Sequence, residues 1–268
     1  MQTSEITWIN LAIGSLVILI PLTIFYYYKT GLVKPMSVAF LRMAVQLTLV
    51  GVYLKYIFEY NALWLNILWV IVMAFAAAYT VVKRSELTQN KFYLPVISGI
   101  FANILLNGAL VAFIIIGSDQ FFNARYIIPI MGMFIGNSLN GTIIGLRSFY
   151  KALSIDEERY RYYLMCGAGK NEALFPFIGE ALKDAFSPTI ASTATIGLIW
   201  LPGMMTGQIL GGSDPVTSIK YQIMIIVGIF AGTVISVFVS LTMSKRFVFD
   251  KYDLFDKTVL LSNTKSQK

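Results

Sequence analysis

Histidine is absent from the 268-residue chain. The commonest metal ligand, and the usual proton shuttle near neutral pH, is therefore missing. Cysteine occurs once, at Cys166, so no internal disulfide can form and a secreted disulfide scaffold is excluded. Charge is scarce too. Only 13% of residues are Asp, Glu, Lys or Arg, against roughly a quarter in an average soluble domain. What fills the gap is apolar: 57% of residues are hydrophobic, and the mean hydropathy is +0.70. A chain of this size has too little interior to hide that surface from water, so it reads as an integral membrane protein. A soluble enzyme and a disordered chain are excluded on the same ground.

A helix needs about 20 mostly apolar residues to cross roughly 30 Å of hydrocarbon. Seven runs qualify: Ile6–Tyr28, Val38–Phe58, Ala62–Val82, Phe92–Gly117, Tyr126–Leu146, Thr189–Gly211 and Tyr221–Met243. Lipid-facing barrel strands alternate apolar and polar residues, whereas Ile67–Ala78 is apolar without a break. The expected fold is all-α and polytopic, with one transmembrane domain over residues 1–246 and a cytoplasmic tail over 247–268. The first Lys, Lys29, follows the first apolar run, which therefore reads as a retained span rather than a signal peptide. With the N-terminus outside and the C-terminus in the cytoplasm, 17 of the 21 Lys and Arg residues fall on cytoplasmic segments and 3 on the outer side. Cytoplasmic loops concentrate such residues, so this orientation is the expected one. The end of the tail, Ser262–Lys268, is polar and expected to be disordered.

The longest soluble piece, Arg147–Phe186, is too short for a core of its own. Ser154-Ile-Asp-Glu157 fits a capping box that would start a helix running to about Cys166. Gly167-Ala168-Gly169 supplies a bend, and a second helix over Asn171–Phe186 leads into the sixth span. Tyr162, Tyr163, Phe175 and Phe177 are expected on its surface. Two readings stay open: an interfacial helix with aromatic anchors, or a knob on which a cytoplasmic partner docks. Gly169-Lys170 is no phosphate-binding loop, because Leu164 and Asn171 break that pattern at two places.

Within the spans, Arg42 either snorkels to the nearby cytoplasmic edge or lines a polar cavity with Gln46, one turn further in. Asn103 with Asn107, and Asn137 with Asn140, share helix faces and suit hydrogen bonds between helices. Gly141/Gly145, Gly203/Gly207, Gly207/Gly211 and Gly228/Gly232 have the spacing that lets helices approach closely. Pro202 and Gly203 should break the sixth span and free backbone carbonyls around Met204, Met205 and Gln208. Asp119 and Asp214 on the outer side are possible cation ligands, although Asp214 before Pro215 better suits a turn or helix cap.

Several stretches resemble those of the FetB-like ABC-transporter permease family. That family contains the membrane half of a bacterial iron exporter and related plant permeases linked to aluminium tolerance. The resemblance rests on Leu41-Arg-Met-Ala-Val-Gln46, Gly132-Met-Phe-Ile-Gly-Asn-Ser138, the Gly167-Ala168 turn, and the run LPGMMTGQILGG from Leu201 to Gly212, followed by Asp214-Pro215 and Tyr221-Gln-Ile223. It implies a multi-pass protein of the bacterial inner (cytoplasmic) membrane that binds no cofactor itself. A separate FetA-like cytoplasmic ATPase would hold ATP and Mg and dock on the cytoplasmic loops, two permease chains would work with two ATPases, and no nucleic acid is involved. The Glu-Ala-Ala signature that precedes the Gly in ABC importers is absent, since Arg161–Cys166 reads RYYLMC. On this reading the translocation pathway comprises Arg42, Gln46, Asn137, Asn140, Pro202, Gly203, Met204, Met205 and Gln208. Coupling to the ATPase falls to Tyr162, Tyr163, Gly167, Ala168, Gly169 and Phe175. The cargo implied is iron or another metal, with the metal ligands unknown. Alternatives are a small anionic or amphipathic solute, or a non-transporting scaffold that recruits a cytoplasmic partner.

Overall fold

The computed structural model describes residues 7–115 and 122–260. The expectations for Asp119, for the outer end of the fourth span at Gly117 and for Ser262–Lys268 fall outside these residues, as does Ile6 at the start of the first span. Ten α-helices run through the described residues: α1 Trp8–Ser15, α2 Leu19–Tyr27, α3 Val33–Tyr60, α4 Leu63–Arg84, α5 Gln89–Leu110, α6 Ala124–Ile155, α7 Glu157–Met165, α8 Lys170–Thr193, α9 Gly203–Leu210 and α10 Pro215–Val248. A 3₁₀ turn, Leu16–Ile18, joins α1 to α2, and α5 widens into a π turn at Val111–Ile115. Among the described residues the regular structure is all helical apart from three isolated bridges.

Among the described residues six helical stretches are long and apolar enough to cross a membrane: Ile9–Tyr27, Val33–Tyr60, Leu63–Arg84, Gln89–Ile114, Ala124–Ile155 and Pro215–Val248. The expected span Thr189–Gly211 is not among them, because its residues divide between the end of α8, an irregular segment and α9. Three α-helix starts are set by side chains at the N-cap. Thr7 Oγ1 accepts from Asn10 N at 3.3 Å. Asn123 Oδ1 accepts from Arg125 N at 3.0 Å, and Asp214 Oδ2 accepts from Thr217 N at 2.9 Å. With Pro215 in the first turn of α10, Asp214 is a helix cap, as its position before a proline suggests.

The core lies among α4, α5, α6, α8 and α10. In α3 only Ile57 is fully buried; beside it the Tyr53 ring meets Trp69 at 4.4 Å. Ahead of Ile57 no described side chain is buried, which suits helices that face lipid.

Small residues bring the core helices together. A Cβ placed on Gly232 would overlap Asn103 and Asn107, and one on Gly228 would overlap Asn107 and Phe134. Asn107 Nδ2 donates to Asn103 Oδ1 at 2.6 Å, and Asn103 Nδ2 reaches Phe134 O across to α6 at 3.5 Å. The two amides thus lie in a groove that only glycine leaves open. Gly141 and Gly145 likewise press on Thr233 and Val237. Gly203 and Gly207 face open space, so their spacing closes no contact within the chain.

The capping box expected at Ser154 does not form. Ser154 lies inside α6, which continues because Leu146, Phe149, Tyr150 and Leu153 keep a buried stripe at helical spacing. The helix ends only at Asp156, where the backbone leaves helical geometry at φ −113° and ψ 42°.

Replacing Gly232 by Ala should lower stability in detergent by about 1–3 kcal/mol, the usual cost of overpacking. Gly207→Ala should leave the melting transition unchanged, and thermal unfolding of the two purified variants checks both.

Candidate translocation cavity and coupling turn

The irregular segment between α8 and α9 holds itself together with a few local bonds. Thr195 O accepts from Leu198 N at 3.3 Å and from Ile199 N at 3.0 Å, and Gly197 N donates to Trp200 O at 3.0 Å. The Trp200 indole N–H donates to Thr195 Oγ1 at 3.2 Å. Gly197 turns the chain at φ 84°, a conformation open mainly to glycine. The carbonyls of Ile196, Gly197, Leu198 and Ile199 accept no backbone N–H among the described residues. The break therefore precedes Pro202 rather than following it. Pro202 caps α9, and Met204, Met205 and Gln208 are helical. The Gln208 carbonyl accepts from Ser213 N at 3.0 Å, which corrects the expectation of free carbonyls around these three residues.

Behind the break lies a cavity of about 280 Å³, walled by α6, the end of α8, the irregular segment, α9 and α10. Asn137, Thr189, Ser192, Thr193 and Gln222 line it with amides and hydroxyls; Met133, Trp200, Met204 and Phe230 supply thioethers and rings. Several donors are already committed. Asn137 Nδ2 donates to Met133 O at 2.8 Å, and the hydroxyls of Ser192 and Thr193 donate to Thr189 O at 3.0 and 2.8 Å. What remains is a mixed set: oxygen lone pairs, the second amide N–H of Asn137, the Gln222 amide and the Thr189 hydroxyl. Gln222 is 6% exposed, and its Oε1 is buried without a hydrogen-bond partner. A buried acceptor left unpaired is costly; Gln222 lines the cavity, but its Oε1 has almost no accessible surface and needs a shift of the side chain to meet a donor there. A second cavity, about 190 Å³, is lined by Tyr126, Met204, Gln208 and Tyr221. Met204 stands between the two.

The structure brings some of the expected pathway residues together and leaves others apart. Asn137, Pro202, Gly203 and Met204 line the larger cavity, and Met204 and Gln208 the smaller. Met205 is buried but lines neither. Arg42 and Gln46 are exposed on α3, and Asn140 is exposed on α6; none of the three reaches either cavity. Thr189, Ser192, Thr193 and Gln222 were not singled out in the sequence as site residues. Their signal was position: three sit in the last turn and a half of α8, just before the break, and Gln222 lies on α10.

At the other end of α8 is the helix–turn–helix. Gly167 has φ 89°; its N–H donates to Leu164 O and the Ala168 N–H to Tyr163 O, both at 3.0 Å. This pair of bonds is a Schellman ending, and it obliges residue 167 to be left-handed. Gly169 then caps α8, its N–H donating to Glu172 Oε2 at 2.8 Å. Tyr162, Met165 and Phe175 are 61%, 79% and 76% exposed, and Tyr163 is half-buried. Phe177, expected on the surface, is fully buried. It belongs to the buried stripe Ala173, Leu174, Phe177, Ala181 and Ala185, and the Arg159 guanidinium lies over its ring at 4.4 Å.

Residues 8–249 match the family described as "Uncharacterised protein family (UPF0014)". The chain belongs to the UPF0014 family of membrane proteins. Among its relatives, "UPF0014 membrane protein YjkA" of Bacillus subtilis is 33% identical over 82% of this chain and 86% of its own length. "Probable iron export permease protein FetB" of Escherichia coli is 32% identical over 84% and 85%. "Protein ALUMINUM SENSITIVE 3" of Arabidopsis thaliana is 30% identical over 80% and 77%. No solved structure is a significant match. The family resemblance read from the sequence is thus upheld, as is a multi-pass membrane location.

Proposed function

We propose that the chain is the membrane-spanning subunit of an ABC transporter that exports iron or another metal, energised by a separate cytoplasmic ATPase and working as a pair of permease chains. The observation that carries this reading is the path of α8. One helix of 24 residues, about 36 Å long at 1.5 Å per residue, joins the exposed turn at Gly167–Gly169 to the cavity wall at Thr189–Thr193. A push on the turn would be delivered along that helix to the broken segment. Pro188, one residue before the wall, removes an intrahelical N–H and marks where α8 can bend. The exposed apolar residues of the turn offer a docking surface, and the chain has no phosphate-binding loop.

In this reading α8, the irregular segment and α9 form the seventh crossing. Non-helical backbone at membrane depth is tolerated where protein or a cavity adjoins it, and the cavity meets that condition. The distribution of Lys and Arg then supports an external N-terminus and an internal C-terminus. Iron enters from the printed name of the Escherichia coli relative. A second reading, a small anionic or amphipathic solute, is favoured by the lining itself, which contains amides, hydroxyls, thioethers and an indole but no carboxylate.

Co-expression with its ATPase should yield a complex that hydrolyses ATP faster than the ATPase alone. Gly167→Pro, which cannot adopt φ 89° and loses the bond to Leu164, should abolish that stimulation while the permease stays folded. Uphill movement by the permease alone in liposomes would refute the proposal. Gln222→Leu, Gln208→Ala and the pair Met204→Ala with Met205→Ala should each reduce efflux, by about tenfold if one good hydrogen bond to cargo is lost. Element-by-element metal content of cells lacking the gene identifies the cargo, and a metal content equal to wild type would favour the organic solute.

A further inference from the structure

After α10 the chain folds back as a strap, residues 249–260. Its first part is a tight hairpin. Phe249 bridges to Phe255, and Asp250 Oδ1 accepts from Tyr252 N and Leu254 N, both at 2.8 Å. Asp253 turns it at φ 58°. The second part runs beside the α4–α5 loop, where Leu260 bridges to Leu87 and Thr88 N donates to Val259 O at 3.0 Å. Phe249, Phe255, Val259 and Leu260 are all buried, and Lys91 Nζ pairs with Asp256 at 2.6 Å. That bond, with those from Thr258, holds the Asp256 carboxyl down at about 2. The strap is therefore part of the folded body, and all of it after Phe249 lies beyond the family match.

Its contacts converge on α7. This helix buries two residues, Glu157 and Tyr160, and both meet the strap. Lys257 Nζ lies 2.6 Å from Glu157 Oε2, while Arg161 pairs with the other oxygen at 2.7 Å. Burial opposes ionisation of Glu157, but the bonds from Lys257 and Arg161 outweigh it and hold the carboxyl below its ordinary range. The Tyr160 hydroxyl donates to Asp253 O at 2.8 Å, and its ring packs on Phe249 at 5.7 Å. Across the turn, Lys170 at the start of α8 pairs with Asp253 at 2.8 Å and lies over the Phe249 ring at 4.5 Å. The strap thus grips the helix–turn–helix on both sides of Cys166–Gly169 and ties it to the α4–α5 loop.

We propose that the strap is the positioning element of the coupling turn, acting through Lys257 on Glu157 and through Asp253 on Tyr160 and Lys170. Its effect on ATPase coupling rests on the function proposed above; its effect on the turn does not. Cys166 is the chain's single cysteine and is exposed at the end of α7, so a nitroxide attached there reports the turn in the isolated permease. Lys257→Glu combined with Asp253→Asn, which tolerates the left-handed backbone, should raise the mobile fraction of the spectrum by about threefold, the scale of losing one or two partly exposed pairs. The melting transition should stay near wild type, and Lys257→Arg should keep the immobile spectrum. Truncation after Phe249 should give a larger shift if that variant folds; if it does not, the point variants decide. An unchanged spectrum in the folded double variant overturns the proposal. A shifted spectrum with no ATPase stimulation in the wild type sustains the strap and removes the transporter reading. A shifted spectrum with stimulation reduced only in the double variant supports both.

Discussion

The structure is organised by the demand that every backbone amide and carbonyl inside a bilayer find a partner. Water is absent there, and each unpaired group costs several kcal/mol. Five continuous helices, and the α1–α2 pair joined by a 3₁₀ turn, meet the demand segment by segment. Where α8 stops, the carbonyls from Ile196 to Ile199 go without backbone donors. In the proposed crossing this backbone sits beside the cavity. The same constraint that makes the bundle helical therefore makes the one broken helix the natural place for a polar route. The break is a short detour between two helices, and the hydroxyls of Ser192 and Thr193 folded onto Thr189 O show how a helix end stays satisfied as it approaches one.

Polar groups elsewhere in the core meet the same demand by different means and not in full, since Asn107 Oδ1 and Ser240 Oγ are buried without a partner among the described residues. Asn103 and Asn107 bond one another and occupy the groove beside Gly228 and Gly232. Tyr150 donates to Ser244 at 2.6 Å, and Thr142 meets Ser236 at 3.3 Å. Lipid tails are as apolar as leucine, so burying more leucine gains little between helices; close approach and interhelical hydrogen bonds have to do the joining. That explains why α10 presents Gly228, Gly232, Ser236, Ser240 and Ser244 to its neighbours while larger side chains such as Ile223, Val227 and Phe238 are exposed.

Much of this was legible in the residues. Hydropathy alone marked the helices that became α3 to α6 and α10, because a transmembrane helix is specified by composition more than by partners. Gly141/Gly145 and Gly228/Gly232 announced close packing for the same reason. What the sequence concealed was which way a helix faces and how one helix end joins the next. Phe175 and Phe177 look alike in a string, yet the first is exposed and the second lies on the stripe set by Ala173 and Ala181. Ser154 carries the pattern of a helix start, but the buried side chains before it propagate α6 through it. Pro202 did signal a break, and the displacement of that break to 194–202 follows from what proline does. It disfavours helix at the residue before it and suits the beginning of the next helix. Gln222 belongs to the Tyr221-Gln-Ile223 stretch that carries the family resemblance, and nothing in its local sequence reveals an unpaired oxygen.

The cavity's chemistry also limits the form in which a metal could use it. Moving a bare divalent ion out of water costs tens of kcal/mol by Born solvation in a medium of low dielectric, and the lining offers no carboxylate to offset that. Amide and hydroxyl oxygens can replace part of a hydration shell, as carbonyls do in ion filters, and their weak hold favours release. A metal passing here would therefore keep water or an organic ligand around it, so that its charge is spread before it meets Gln222. The two readings of the cargo then differ less than their names suggest. In both, the wall would meet hydrogen-bonding groups on the outside of a small polar body: coordinated water or a chelator in one case, the solute's own groups in the other.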